Sequence, residues 1–315
     1  MSDYDSISLR GVYRSPSHLP IWEVMDKAKI WEQVGVESVS LEYMADPPDA
    51  EAALFDGSID FISGNHITPY ALVAKGKPIV CLASPSNAVR DRVISPQQIA
   101  DLAELRGKRI ADQPLQSRSA GFQHPTGNHM LFLRRAGVEP TEVTWVELDA
   151  SGAQLRAEQL EALKSGAADA CFATGGTDEY ERAGLHVLEL DPLPMINGPT
   201  LTTSLDRLKS SDQLGERLVK ALVLAIHFAK THTEDTELIL EELRRRDPQA
   251  AGASIRGLLR MPEKPYPDPA GVVNAFELCL MKDPEAKAVS PLALWDLHYL
   301  RELDGSGFID QLYSA

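Results

Sequence analysis

Ala53-Leu54-Phe55-Asp56-Gly57-Ser58-Ile59-Asp60-Phe61-Ile62-Ser63-Gly64-Asn65-His66 and Ala162-Leu163-Lys164-Ser165-Gly166-Ala167-Ala168-Asp169-Ala170-Cys171-Phe172-Ala173-Thr174-Gly175-Gly176 carry one pattern twice. Each copy reads as a helix end, a glycine stop, an aspartate, a short apolar strand and a polar turn containing glycine. The lead-ins match as well: Gly35-Val36-Glu37 precedes a strand over residues 38–44, and Gly137-Val138-Glu139 precedes one over 143–148. Two similar α/β lobes are implied, each presenting a polar turn after a strand. In open α/β sheets ligands bind at the carboxyl ends of strands, so the repeat predicts a cleft for a small molecule between the lobes.

Working outward, a strand over residues 9–13 leads through Ser15-Pro16-Ser17-His18-Leu19-Pro20 into a helix reaching Trp31. Helices over 49–55, 68–74 and 96–105 alternate with strands over 78–83 and 92–95. The stretch Leu105-Arg106-Gly107-Lys108-Arg109-Ile110 opens the second lobe, and Leu201-Thr202-Thr203-Ser204 returns a strand to the first. Lobe 1 is thus expected at 1–105 and 200–315, and lobe 2 at 106–199. A helical C-terminal third follows, with helices expected over 212–230, 234–246, 272–281 and 292–303.

The net charge is −15 with 43% hydrophobic residues among 315. No cluster of Lys and Arg stands out beyond Arg244-Arg245-Arg246, which closes a Glu-rich helix, so nucleic acid is not an expected partner. The sign of the ligand stays open, because a cleft can carry its own arginine or helix N-termini within an acidic protein. No stretch is long and apolar enough to span a membrane. The start Met1-Ser2-Asp3-Tyr4-Asp5 shows no secretory leader. A cytoplasmic location is the expectation, or a periplasmic one if a leader has been removed. Cys81, Cys171 and Cys279 are widely spaced in apolar runs and read as small core residues, the odd count suiting a reducing compartment.

Further motifs carry a resemblance. The helix-opening His18-Leu19-Pro20, Gly76-Lys77-Pro78-Ile79-Val80, the 105–110 stretch and Gly137-Val138-Glu139-Pro140 are similar to the type II periplasmic-binding-protein-like fold. Within it the chain resembles the sulfonate-, taurine- and nitrate-binding group that also includes thiamine-pyrimidine-synthase-like proteins. The similarity spans nearly the whole chain, and its motifs speak for the fold more than for the ligand. It implies an α/β, two-lobed architecture with a central cleft and a helical C-terminal region, binding a small organic molecule. An anion is expected, with aromatic acids among the candidates. An ABC permease would be a partner only for an exported protein. The alternative is a cytosolic lyase of the same fold. Desulfinases of this fold use a cysteine in the turn after the first strand, where this chain has Ser15, Ser17 and His18, so a metal-independent decarboxylase ranks above a desulfinase. No cofactor is expected.

The candidate site residues are those in turns after strands. Tyr13, Arg14, Ser15 and His18 follow the first strand, and Gly64, Asn65 and His66 follow the Asp60 strand. There Gly64 would let a ligand approach the backbone while Asn65 and His66 supply donors; capping of the next helix by Asn65 or Thr68 explains the same residues without a ligand. Ser117, Thr126, Asn128 and His129 flank a helix entry in the second lobe, with Thr174 and Gly175 opposite and Thr202 near the second crossing. His124 and His129 lack a carboxylate in helical register, which argues against a metal. For a lyase, His18 and His66 are the candidate acid and base.

Overall fold

The computed structural model describes residues 6–117, 121–210 and 213–314. The chain divides into two compact units, Met1–Asn87 with Met195–Ala315, and Ala88–Pro194. In the first, β1 (Ile7–Tyr13), a 3₁₀ turn (Pro16–His18), α1 (Leu19–Lys27), α2 (Ile30–Gln33), β2 (Val36–Tyr43), α3 (Pro47–Phe55), β3 (Phe61–Ser63), α4 (Pro69–Ala74) and β4 (Ile79–Ala83) follow in order. The second holds β5 (Ala88–Val89), β6 (Asp91–Ser95), β7 (Arg109–Asp112), β8 (Gln116–Ser117), β9 (Gly121–Phe122) and α5 (His124–Arg135). Its remainder is β10 (Thr144–Glu147), α6 (Gly152–Lys164), β11 (Ala170–Thr174), α7 (Asp178–Arg182), β12 (His186–Glu189) and β13 (Leu193–Pro194). Back in the first unit come β14 (Leu201–Ser204), α8 (Leu205–Ser210), α9 (Leu214–Thr231), α10 (Thr233–Arg246), α11 (Ile255–Leu259), α12 (Pro269–Lys282), α13 (His298–Gly305) and α14 (Phe308–Leu312).

The two five-stranded sheets have one topology. The first runs β2-β1-β3-β14-β4 and the second β10-β7-β11-β6-β12. In each, three strands are parallel, and the fourth position holds an antiparallel strand that enters just after the chain has crossed between units. This places the unit boundaries at 87/88 and 194/195 rather than at 105/106 and 199/200. The physical reason is β6, whose ladder partners are β11 and β12 of the second unit, so residues 91–95 cannot belong to the first.

The repeated Gly-x-x-Asp does the same work in both units. Gly57 and Gly166 sit at φ of 80° and 72°, ending α3 and α6 in a conformation that costs glycine little. The aspartate then registers the strand it introduces. Asp60 Oδ2 accepts from the Arg10 N–H at 2.7 Å, while the Asp60 N–H donates to the Arg10 carbonyl at 2.7 Å. Asp169 Oδ2 accepts from the Arg109 N–H at 2.9 Å, and its own N–H donates to the Arg109 carbonyl at 2.8 Å. The environments differ. The Asp60 side chain is 4% exposed and also accepts from Arg207 Nε at 2.8 Å, whereas that of Asp169 is 35% exposed and forks with the Arg109 guanidinium.

The core of the first unit is organised by α9, whose buried face runs from Leu214 to Ala229 against α1, α10, α11 and α13. Arg217 is fully buried on that face and donates from Nη1 to the Gly35 carbonyl, placing a cation on the C-terminal end of α2 where the carbonyl ends favour it. The second unit packs a smaller core of Ile94, Ala111, Ala162, Leu163, Cys171 and Tyr180.

Three helices depart from the sequence expectation. Residues 96–105 hold only a 3₁₀ turn, Leu102–Leu105, because Asp101 caps it by accepting from the Ala103 N–H and restarts the chain there. The helix expected over 292–303 breaks where the Asp296 N–H is given to the Cys81 carbonyl at the edge of β4, and a helix resumes at His298. The first helix breaks at Lys29, which has a φ of 55°. Asp60→Ala removes the buried carboxylate that Arg207 and the Arg10 N–H share and should cost about 3 kcal/mol. Asp169→Ala should cost about 1 kcal/mol because its pair is solvated. Urea denaturation of both variants checks this ordering; equal losses would mean the two aspartates are not distinguished by burial.

Candidate functional site

In the first unit, the ends of β1 and β3 are level, with Tyr13 paired to Ser63. The turn that follows β3 is left-handed, Gly64 at φ 100° and Asn65 at φ 68°. The close approach at Gly64 is made by protein: a Cβ there would sit 2.7 Å from His18 Cε1. Gly64 N–H donates to the Thr200 carbonyl at 2.7 Å, and Thr202 Oγ1 donates to the carbonyls of Gly64 and Asn65. Thr202, fully buried, is therefore a strut for the turn rather than a wall of the site.

Asn65, an unusual non-glycine residue at positive φ, is held by a polar network. Its Oδ1 accepts from Arg14 Nη1 at 2.9 Å and from Thr68 Oγ1 at 2.9 Å, while its Nδ2 donates to Glu51 Oε1 at 2.9 Å. Thr68 donates to the same Glu51 oxygen at 2.5 Å. Burial raises the Glu51 pKa, opposed by the hydrogen bonds from Thr68 and Asn65 and the charge of Arg14. Arg14 is half-buried and anchored by Nε and Nη2 on the Ala45 carbonyl at 3.0 and 2.6 Å. Three of its five N–H groups suffice for these bonds, so the cation keeps two N–H groups at the strand end.

His18 and His66 are both buried. His18 Nδ1 lies 3.0 Å from the Ser63 carbonyl, which sets the N–H on Nδ1 and leaves Nε2 as an acceptor. Burial, with the nearby Arg14 charge, pushes its pKa down to about 4 against a weaker upward pull from Ser63. At neutral pH it is an uncharged imidazole and holds no proton to give as an acid. Trp22 Nε1 donates to Ser63 Oγ at 2.7 Å, closing this cluster from beneath.

Two first-unit candidates lie elsewhere. Ser15 caps the 3₁₀ turn, accepting from the Ser17 N–H. Tyr13 packs its ring on Tyr43 at 5.3 Å and lines a flanking cavity with Trp31 and Leu243.

In the second unit, the strand ends surround a buried charge rather than an open polar turn. His129 stands between two buried aspartates, Nδ1 at 2.5 Å from Asp112 Oδ2 and Nε2 at 3.4 Å from Asp91 Oδ2, with its ring stacked on Phe172 at 4.4 Å. Burial alone would lower its pKa, but the Asp112 charge and hydrogen bond, joined by Asp91, outweigh it and hold it at about 9. His129 is thus an interior imidazolium. Thr126 is also interior, donating to the Gln113 carbonyl at 3.0 Å, and Asn128 is buried with its Oδ1 meeting no donor among the described residues. Thr174 and Gly175 are exposed; Thr174 donates to Asp91 Oδ1 at 2.6 Å, and the Gly175 carbonyl accepts from Arg92. Ser117 ends β8 with its side chain outside the described residues, as are Arg118 and Ser119.

The structure therefore gathers Arg14, His18, Ser63, Gly64 and Asn65 into one cluster. Glu51 and Trp22 were missed as its supports, and Thr68, expected as a helix cap, instead donates to Asn65 and Glu51. Glu51 carried a faint signal, a lone carboxylate among Ala50, Ala52, Ala53 and Leu54. Among the described residues no group of His, Cys, Asp and Glu is arranged to hold a metal, and no helix is long and apolar enough to cross a membrane.

The chain belongs to the NMT1/THI5-like family, whose model matches residues 31–236. It is similar to a putative sulfonate ABC transporter protein, the periplasmic sulfonate-binding SsuA of Methylobacillus flagellatus KT, at 17% identity over 97% of each chain with a TM-score of 0.67. It is also similar to the aliphatic sulphonate-binding SsuA of Escherichia coli, at 16% identity over 92% of this chain and 96% of that one, TM-score 0.63. A DSZB variant in complex with biphenyl-2-sulfinic acid matches at 15% identity over 95% of this chain and 99% of that one, TM-score 0.57. These likenesses establish the two-lobed periplasmic-binding-protein-like fold. No curated protein matches the sequence.

The two buried histidines titrate in opposite directions. The folded pKa of His18 lies below the unfolded value of about 6.5, so its contribution to stability is lost as pH falls from about 6.5 towards 4. That of His129 is raised, so its contribution is full below about 6.5 and is lost as pH climbs through 9. NMR titration of the ring protons should find His18 neutral down to about pH 5 and His129 charged at pH 8, with the reverse order contradicting the assignment.

Proposed function

We propose that the protein binds a small organic anion at the strand-end cluster of its first unit, as a solute-binding-protein-like receptor. The observation that carries this reading is Arg14. Its guanidinium is fixed on two sides by the Ala45 carbonyl and Asn65, retains unspent N–H groups, and stands beside a neutral His18 rather than a competing cation. A planar fork of this kind suits the paired oxygens of a sulfonate or carboxylate. The sulfonate-binding neighbours supply the first ligand class to try, and an aromatic body on the anion is the second. An ABC permease becomes the partner if fractionation finds the protein exported.

Isothermal titration against ethanesulfonate, benzenesulfonate, benzoate and nitrate tests the reading. Arg14→Ala should weaken whichever anion binds by roughly tenfold or more, and Arg14→Lys should weaken it less, since the charge survives and the fork does not. Unchanged affinity in Arg14→Ala, with the fold intact by thermal melting, would sink the assignment.

The lyase reading finds less support in the same cluster. His18 stores no proton at neutral pH, and burial raises the Cys171 thiol and pushes Cys81 and Cys279 to about 12 and 11, leaving no ready thiolate among the cysteines. Acid catalysis would fall to His66. Incubation with hydroxylated benzoates should release no CO2 above the rate of the His66→Gln variant; release that depends on His66 would favour the enzyme.

A further inference from the structure

The strand-end cluster of the first unit holds a second chemical group that an anion alone would not use. Gly64 is the pivot: a Cβ there would lie 2.7 Å from His18 Cε1 and 3.2 Å from Arg14 Cβ, so the imidazole and the arginine stem flank one point. His18 Nδ1 lies 3.0 Å from the Ser63 carbonyl, an oxygen that can only accept, and this places the ring proton on Nδ1. Nε2 is left with its lone pair. It meets no hydrogen-bond partner among the described residues and, although His18 is only 6% exposed, it is not one of the atoms sealed from solvent. The neighbouring side-chain acceptors are occupied, since Asn65 Oδ1 and Glu51 Oε1 each meet two donor groups.

A nearly buried acceptor beside a cation favours a ligand that brings its own donor, because a ligand that displaces water and offers none leaves the acceptor unpaired. We propose that His18 Nε2 reads a hydroxyl on the ligand, so that the bound molecule is a hydroxylated organic anion: its anionic group on the Arg14 fork, its hydroxyl on a nearby carbon donating to the imidazole. This rests on the Arg14 reading above and narrows its ligand class. A hydroxyl suits the position better than an ammonium. The Arg14 charge already opposes a proton on His18, and it repels a second cation placed there in the same way. An anion without the hydroxyl keeps the Arg14 contacts but strands the imidazole, and sites that hydrogen-bond a ligand hydroxyl discriminate against the analogue lacking it.

Calorimetry on the full chain with matched pairs tests the proposal: 2-hydroxyethanesulfonate against ethanesulfonate, and mandelate against phenylacetate. In the pair whose anionic group binds, the hydroxylated member should bind about tenfold tighter, and 2-aminoethanesulfonate should gain nothing over ethanesulfonate. His18→Asn keeps an N–H for the Ser63 carbonyl but removes the second ring nitrogen, and should bring the ratio within the pair close to one, whatever the absolute affinities. His18→Gln, which can set an amide oxygen where Nε2 stood, should restore part of that ratio. Because either variant can disturb the turn, the nitrogen NMR resonance of His18 Nε2 in the unaltered chain is the second readout: the hydroxylated member should move it and the plain member should not. Equal affinity within the pair, a preference for the amine, or a ratio that survives His18→Asn would overturn the proposal while leaving Arg14-dependent anion binding in place. If no member of either pair binds in an Arg14-dependent way, the receptor reading fails and this inference falls with it.

Discussion

One carboxylate-to-backbone contact sets the geometry on which the first unit depends. Asp60 and Arg10 exchange hydrogen bonds in both directions, one through a side chain and one through the main chain, and this locks β3 against β1 before either strand reaches its polar end. The register that follows is Gly11 with Phe61, Val12 with Ile62 and Tyr13 with Ser63. A slip of one residue would send every side chain of β3 to the opposite face of the sheet. It would also part the Ser63 carbonyl from His18 and the Asn65 amide from Arg14. The same contact also steadies β14, because Thr203 donates to the Asp60 carbonyl and Arg207 to its carboxylate. The site is thus registered from the far end of its own strands, and Asp169 repeats the device on Arg109 in the second unit.

Much of this was legible in the sequence because the signals are local. A glycine that ends a helix, an aspartate three residues on and a short apolar run are readable within a dozen positions, and their duplication points to two units of one topology. What was not legible depends on distance along the chain. Glu51 reaches Asn65 across 14 residues, and Arg14 reaches it across 51, with no periodic pattern linking them. Thr202 looked like a wall residue because it follows the return crossing, yet its partners are backbone carbonyls 137 and 138 positions away. The unit boundary was misplaced for a related reason: β6 is antiparallel, and nothing in residues 91–95 says which sheet an antiparallel strand will join.

His129 shows a different limit of the sequence. A polar residue near a helix start reads equally well as ligand donor or as interior ion, because the sequence carries no record of what surrounds it. Here Asp91 comes from the start of β6 and Asp112 from the end of β7, so the charge balance is assembled by the sheet rather than by the helix carrying the histidine. Buried charges of this sort need full pairing to be tolerated. The Thr174 hydroxyl donates to Asp91 and the Gln113 N–H to Asp112, adding hydrogen bonds to the two carboxyl groups beside the imidazole.

The duplicated turns have therefore diverged in chemistry while keeping their backbone plan. After β3 the turn is left-handed and strutted by Thr202 and Asn65, and its free chemistry is the Arg14 cation and a neutral imidazole acceptor. After β11 the turn is exposed, and His129 lies buried beneath it between Asp112 and Asp91. The first turn presents a guanidinium with N–H groups unspent; beneath the second, aspartates are gathered around an enclosed imidazolium. The second unit's charges are spent on holding its own strand ends, and what its turn presents is backbone and hydroxyl groups.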